Sequence, residues 1–106
     1  MVDGMDKFKK QKIRFIDYFT KLICQPEKEW ANGDIQSIKG VKDDLVIICA
    51  FTFIGVRIYF QKKHAGTHTK AVNTTCINYN NNFSREAYYF LIKLSRYPNS
   101  NINIIT

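Results

Sequence analysis

Apolar residues recur at helical spacing in residues 6–24, DKFKKQKIRFIDYFTKLIC. Positions 8, 15, 16, 19, 22 and 23 fall on one side of a helix, and most of the charged residues fall on the other. This spacing predicts an amphipathic helix with one buried stripe. We expect Asp6 to cap the start of this helix and Pro26 to mark its end.

Residues 25–33, QPEKEWANG, fit two local structures. Pro26 at a first helical position, the acids that follow it and a stop at Gly33 favour a short helix. Asn32-Gly33 is also a typical sequence for a two-residue hairpin turn. We expect the short helix, and in either case we expect Trp30 to pack against the core.

The middle of the chain predicts two strands separated by a turn. Residues 34–41 form the first strand, and residues 42–44, KDD, form the turn. The apolar run 45–60, LVIICAFTFIGVRIYF, predicts one long central strand, in which Gly55 suggests a bulge or bend. We expect residues 45–53 to be the most buried part of the protein. After Gly55 the run alternates, with one face formed by Val56, Ile58 and Phe60 and the other by Arg57 and Tyr59.

The last part of the chain predicts a strand, a helix and a short strand. Residues 71–79 alternate well enough for a strand, which should pair antiparallel with the strand before it. Residues 84–97 predict a helix with Ser84 as its cap. The residues expected on one face of that helix are Ala87, Tyr88, Leu91, Ile92 and Ser95. Residues 101–106, NINIIT, have the alternation of a short closing strand.

The predicted order is therefore α-(short α)-β-β-β-α-β over a single domain, residues 1–106. Two amphipathic helices can cover one face of an antiparallel sheet. We predict an α+β fold in which a sheet of about four strands carries the N-terminal and the late helix on one face.

Positive charge is concentrated in the second part of the chain. Residues 1–44 carry nine Lys or Arg against eight Asp or Glu, whereas residues 45–106 carry seven against one, Glu86. Together they give a formal net charge of +7. Such an excess attracts polyanions or an acidic protein surface. We therefore expect a nucleic acid or an acidic protein as the partner.

Three cysteines, Cys24, Cys49 and Cys76, indicate a reducing compartment. Their odd number and wide spacing do not form a disulfide framework, so we expect reduced and mostly buried thiols in a cytoplasmic protein. No signal peptide is visible. The run 45–60 is shorter than the ~20 residues that a membrane-spanning helix needs, and it contains Arg57. We expect no membrane span.

The basic stretch 60–71, FQKKHAGTHTKA, is the best candidate for chemistry. Lysines in a loop beside an exposed Arg and Tyr form a positive patch with an aromatic ring, which suits phosphate binding. The residues of this candidate site are Arg57, Tyr59, Lys62, Lys63, His64, His68 and Lys70. The cations Lys7, Lys10 and Arg14 of the first helix could extend it.

The same stretch also contains the groups that a metal-independent ribonuclease needs. A histidine can move the proton of the 2′-hydroxyl, and cations can hold the phosphate. His64, His68 and Arg57 would be the catalytic residues, and this set on an antiparallel sheet is similar to that of small bacterial toxin ribonucleases, although no motif matches at fixed spacing. No acid lies near the histidines to complete a metal site, so we expect no metal and no cofactor.

Three functions remain open from the sequence. The first is a non-enzymatic domain that contacts the phosphates of RNA or DNA. The second is a protein-binding module, such as a toxin immunity protein, an antitoxin or a phage-encoded inhibitor, because the chain is small and lacks a catalytic motif. The third is the small ribonuclease toxin. The order of elements is also similar to that of double-stranded RNA-binding domains, but the lysine pair is not at the start of the late helix as in that family.

Overall fold

The computed structural model describes residues 3–62, 71–80 and 82–96, and within these ranges the side chains of residues 8–23, 25–61, 74–80 and 82–96. Its elements are α1 (Asp3–Leu22), β1 (Cys24–Ala31), β2 (Asp34–Lys42), β3 (Leu45–Phe51), β4 (Gly55–Lys62), β5 (Ala71–Asn78) and α2 (Phe83–Ser95). The strands form one antiparallel sheet in the order β1-β2-β3-β4-β5. The helices share one buried cluster with the sheet, which confirms the predicted α+β fold.

Helix α1 buries most of the stripe that the sequence predicts, although Phe8 at its start is exposed. Phe15, Ile16 and Phe19 are buried on it, and Ile23 is buried just beyond its end. The N–H of Ile23 donates to the carbonyl of Phe19, so the chain leaves the helix with that last hydrogen bond satisfied. The predicted bounds are wrong, because Asp6 lies inside α1 and the helix ends before Pro26.

The short helix predicted at residues 25–33 is wrong, because this segment forms β1 and the hairpin to β2. Asn32 and Gly33 both have positive φ, 52° and 81°, as a tight turn of this kind requires. Pro26 is tolerated because β1 is an edge strand, where an N–H facing solvent is not needed. Trp30 is 62% exposed, so the prediction that it packs against the core is also wrong.

The apolar run 45–60 forms two strands rather than one. β3 ends at Phe51 and β4 begins at Gly55, so the chain reverses over residues 52–54. The Thr52 hydroxyl holds this turn, since it donates to the carbonyl of Gly55 and accepts from the N–H groups of Ile54 and Gly55. Phe53 is fully exposed at the turn, so the buried segment predicted to reach it stops earlier.

The buried face of helix α2 overlaps the predicted one only in part, since Ala87 and Leu91 are buried as predicted. Its buried residues are Phe83, Ala87, Phe90, Leu91 and Leu94, whereas Tyr88 and Ser95 are exposed. Asn82, rather than Ser84, occupies the N-cap position, and no side chain caps this end. With these residues buried, the phenylalanines of α2 pack against α1. The ring centroids of Phe90 and Phe83 lie 6.0 and 6.3 Å from that of Phe15.

The core lies between the helices and one side of the sheet. Ile38, Ile47, Cys49 and Ile58 come from three adjacent strands and are fully buried there. Phe15 is the aromatic centre of the helical side, with the ring of Phe19 6.0 Å away. The predicted antiparallel pairing of residues 71–79 with the preceding strand is confirmed by β4 and β5. The strand predicted at 101–106 lies outside the described residues.

Lys12 ties α1 to the β1–β2 hairpin. Its Nζ lies 3.0 Å from a carboxylate oxygen of Asp34 and 5.0 Å from the ring centroid of Phe51. The hydrogen bond from Lys12 lowers the pKa of Asp34 below its ordinary value. None of the helices in the described part of the chain is long and apolar enough to cross a membrane.

Tyr79 links α1 to the start of α2 and has a perturbed hydroxyl. Its ring lies between those of Phe8 and Phe83, with centroids 5.6 and 5.1 Å away. The hydroxyl has no hydrogen-bond partner among the described residues. Burial, and next the charge of Asp34, raise the pKa of Tyr79 to about 12.

We expect the protein to lose stability as the pH rises from about 10 to about 12. The folded state keeps Tyr79 neutral, whereas the unfolded chain releases this proton near pH 10, so the unfolded state gains free energy of ionisation in this window. Tyr79→Phe should reduce this loss, while Tyr89→Phe, at an exposed tyrosine, should not. Urea unfolding of the wild type and of both variants between pH 9 and 12 measures this loss of stability. Equal pH dependence in the wild type and Tyr79→Phe would contradict the raised pKa of Tyr79 as its cause.

Candidate nucleic-acid interface

The side of the sheet that faces away from the helices is called here the open face. On each central strand its residues alternate with the buried residues of the core, such as Ile47 and Ile58, and on this side Val46 is also buried. The strand register places these side chains next to one another. The open face consists of Glu27, Glu29, Ser37, Lys39, Val41, Val46, Ile48, Ala50, Arg57, Tyr59, Gln61, Thr74, Cys76 and Asn78.

The two ends of the open face differ in charge. At the β1 end, Glu29 accepts a hydrogen bond of 3.0 Å from the Ser37 hydroxyl, and Glu27 lies opposite Lys39. Positive charge at this end is therefore balanced by carboxylates. The other end, formed by β3, β4 and β5, contains no acidic residue, because the sequence has none between Asp44 and Glu86. An anion is therefore favoured at the β3–β5 end.

Arg57 is the central cation of the β3–β5 end. It is exposed, and it lies opposite Ala50 on β3 and Cys76 on β5. A hydrogen bond to Tyr59 is the main reason that the pKa of Arg57 is raised, and Cys76 adds a smaller electrostatic contribution. The guanidinium is charged, as arginine always is in proteins, and because neither neighbour is a carboxylate it keeps donors for an external phosphate.

Tyr59 gives this end an aromatic surface. Its side chain is half-buried, and the register places it opposite Ile48 on β3 and Thr74 on β5. The confirmed alternation of residues 56–60 brings it to the same side as Arg57. A tyrosine beside an arginine on an open sheet can stack with a base while the guanidinium holds a phosphate.

The structure describes only part of the site that the sequence predicts. Lys63, His64, His68 and Lys70 lie outside the described residues, and Lys62 is the last residue of β4, with its side chain outside the described set. Lys7 lies on α1, again with its side chain outside that set. Lys10 and Arg14 are exposed on α1, on the opposite side of the sheet from Arg57 and Tyr59.

A second cationic surface, which the sequence does not predict, lies between the helices. Arg14 and Tyr18 of α1 and Arg85 and Tyr88 of α2 line a groove with a volume of about 320 Å³. Each Arg precedes its Tyr by four or three residues, so each pair lies on one side of its helix. That spacing is the only signal in the sequence, and it does not show that the two helices bring the pairs together.

The two cysteines whose side chains are described differ in exposure. Cys49 is fully buried, and burial raises the pKa of its thiol, so a thiolate is disfavoured. Cys76 is exposed, which differs from the expectation of mostly buried thiols. The Cys24 side chain lies outside the described set. Within the described ranges, no group of three His, Cys, Asp or Glu residues could hold a metal ion.

Comparison with protein-family models, with curated proteins and with solved structures finds no match to this chain.

Proposed function

We propose that the protein is a non-enzymatic domain that binds the phosphates of RNA or DNA through the β3–β5 end of its open face. The observation that carries this proposal is the exposed Arg57 beside Tyr59 on a surface without a carboxylate. Arginine binds phosphate oxygens with two parallel donors, and a tyrosine stacks on any base. Both interactions are largely independent of sequence, which predicts a general affinity for nucleic acid.

The sequence between β4 and β5 adds lysines to this proposal. β4 ends at Lys62 and β5 begins at Ala71, so the basic stretch with Lys63 and Lys70 joins the strand of Arg57 to the strand of Cys76. Lysines act on phosphates as point charges and release counterions when they bind. The lysines would therefore strengthen binding of nucleic acid, and this contribution would decrease as the salt concentration rises.

Arg57→Ala should weaken binding of nucleic acid about equally for all sequences, because Arg57 would bind phosphate and not a base edge. The slope of log affinity against log salt should become shallower by roughly 0.9 on duplex DNA. A triple variant should make this slope shallower by roughly 0.9 for each phosphate that it no longer neutralises. The triple variant combines Lys62→Ala, Lys63→Ala and Lys70→Ala. Fluorescence anisotropy with labelled oligonucleotides across a salt series measures these slopes.

Lys93→Ala is the matched control, because it removes one positive charge from α2, on the other side of the sheet. The proposal fails if this variant weakens binding as much as Arg57→Ala does. RNA recovered after incubation should be intact. Cleavage that depends on His64 or His68 would instead indicate the ribonuclease.

A protein-binding module is the second candidate, and the turn between β3 and β4 favours it. Phe53 is fully exposed and Ile54 is 66% exposed, although the Thr52 hydrogen bonds hold the turn. An ordered turn that presents two apolar side chains suits a pocket on another protein, such as the cognate toxin of an immunity protein or antitoxin. Apolar interactions of this kind resist salt, whereas phosphate binding does not.

A further inference from the structure

The groove between α1 and α2 has the size and lining of a ligand site. Its volume of about 320 Å³ is at the lower end of the roughly 300 to 1,000 Å³ that is typical of small-molecule pockets. Its floor consists of the buried side chains Phe15, Phe83, Ala87 and Leu91. A ligand in the groove would therefore lie against apolar and aromatic groups. It would also lie beside Gln11, whose buried Oε1 has no hydrogen-bond partner among the described residues.

The rim of the groove is cationic and aromatic. Arg14 and Arg85 are both exposed, and neither is a partner in the ion pairs Lys12–Asp34 and Lys21–Asp17. Tyr18 and Tyr88, 48% and 60% exposed, complete the rim. No carboxylate of the described residues lines the groove. Charge complementarity therefore selects an anionic ligand.

We propose that this groove binds a small aromatic carboxylate, whose ring rests on the apolar floor between Tyr18 and Tyr88 and whose carboxylate pairs with Arg14 and Arg85. The size of the groove suits one or two fused rings better than a polymer. This site lies on the opposite side of the sheet from Arg57, so it does not depend on the proposed nucleic-acid surface.

Two probes of the same shape test the proposal, namely 1-naphthoate, which carries the charge, and 1-naphthamide, which is neutral. Titration of the labelled protein, followed by amide NMR shifts, should show 1-naphthoate binding with its largest shifts at residues of the groove. Its affinity should exceed that of 1-naphthamide by roughly tenfold or more, because hydrogen bonds to charged groups are the stronger ones. Equal affinities, or shifts concentrated elsewhere, would overturn the assignment.

Arg14→Gln with Arg85→Gln should reduce the affinity for 1-naphthoate to that for 1-naphthamide. Both residues are exposed, so this double change should leave the fold intact. Ser84→Trp, at an exposed position on the groove, should block both probes. Arg57→Ala, which removes a charge from the open face, should change neither affinity. Groove shifts that grow with protein concentration without a probe would show a second copy there and overturn the small-ligand assignment.

Discussion

Ile47→Ala should lower the free energy of unfolding by roughly 2 to 5 kcal/mol. Ile47 lies on β3, the middle strand of the five, and it is fully buried. Its register partners are Gly40 and Phe60. Truncation would leave a cavity beneath the helices, because a glycine and a packed aromatic ring cannot refill it. Urea unfolding followed by circular dichroism measures the loss.

Ile54→Ala is the matched control, since it removes the same atoms from a side chain that is 66% exposed. Surface changes of this kind usually stay within about 0.5 kcal/mol. Equal losses for the two variants would contradict the assignment of residues 45–51 to the core and of residues 52–54 to an exposed turn.

The elements that the sequence predicts correctly are those whose pattern is local. Helix α1 repeats its apolar residues over several turns, so one period describes all of it. The alternation after Gly55 likewise places Ile58 inside and Arg57 outside without knowledge of the neighbouring strands. In both cases the spacing of apolar residues within one element is enough to predict which side of it faces the core.

The errors arise where local signals support two structures. Pro26 and the acids after it suit the first turn of a helix, and they suit an edge strand equally well. Pairing with β2 decides between them, and the positive φ angles at Asn32 and Gly33 allow that pairing. In the run 45–60 the turn contains Phe53 and Ile54, which are not turn-forming residues, so its position depends on the pairing of β3 with β4.

The candidate sites differ in the same way. Arg57 and Tyr59 are two residues apart on one strand, so the sequence predicts that they share a face. Arg14 and Arg85 are far apart in the chain and lie on different helices, and only the packing of α1 against α2 brings them to one groove. The spacing of Arg and Tyr within each helix is visible in the sequence, but a single sequence does not show that the two helices meet.

Gly55→Ala should destabilise the protein by about 3 kcal/mol, at the upper end of the usual cost of overpacking. Gly55 begins β4, where its Cα lies opposite Asn78 of β5. An added Cβ would collide with the backbone carbonyl of Ile77 and with the Cα of Asn78. Backbone atoms cannot rotate away as a side chain can, so β5 would have to move. Chemical unfolding measures the cost, and hydrogen exchange should show weaker protection of the amides of β5.

Gly33→Ala separates this collision from the ordinary cost of replacing a glycine. Gly33 has a φ of 81°, and nothing lies within 4 Å of an added Cβ, so only the left-handed backbone opposes the substitution. That strain costs roughly 1 to 2 kcal/mol, less than the collision at Gly55, and it should leave the exchange of β5 unchanged. Gly55 has no positive φ, so its variant tests space alone. A Gly55→Ala protein as stable as the wild type would show that β4 and β5 lie further apart at this point than the structure places them.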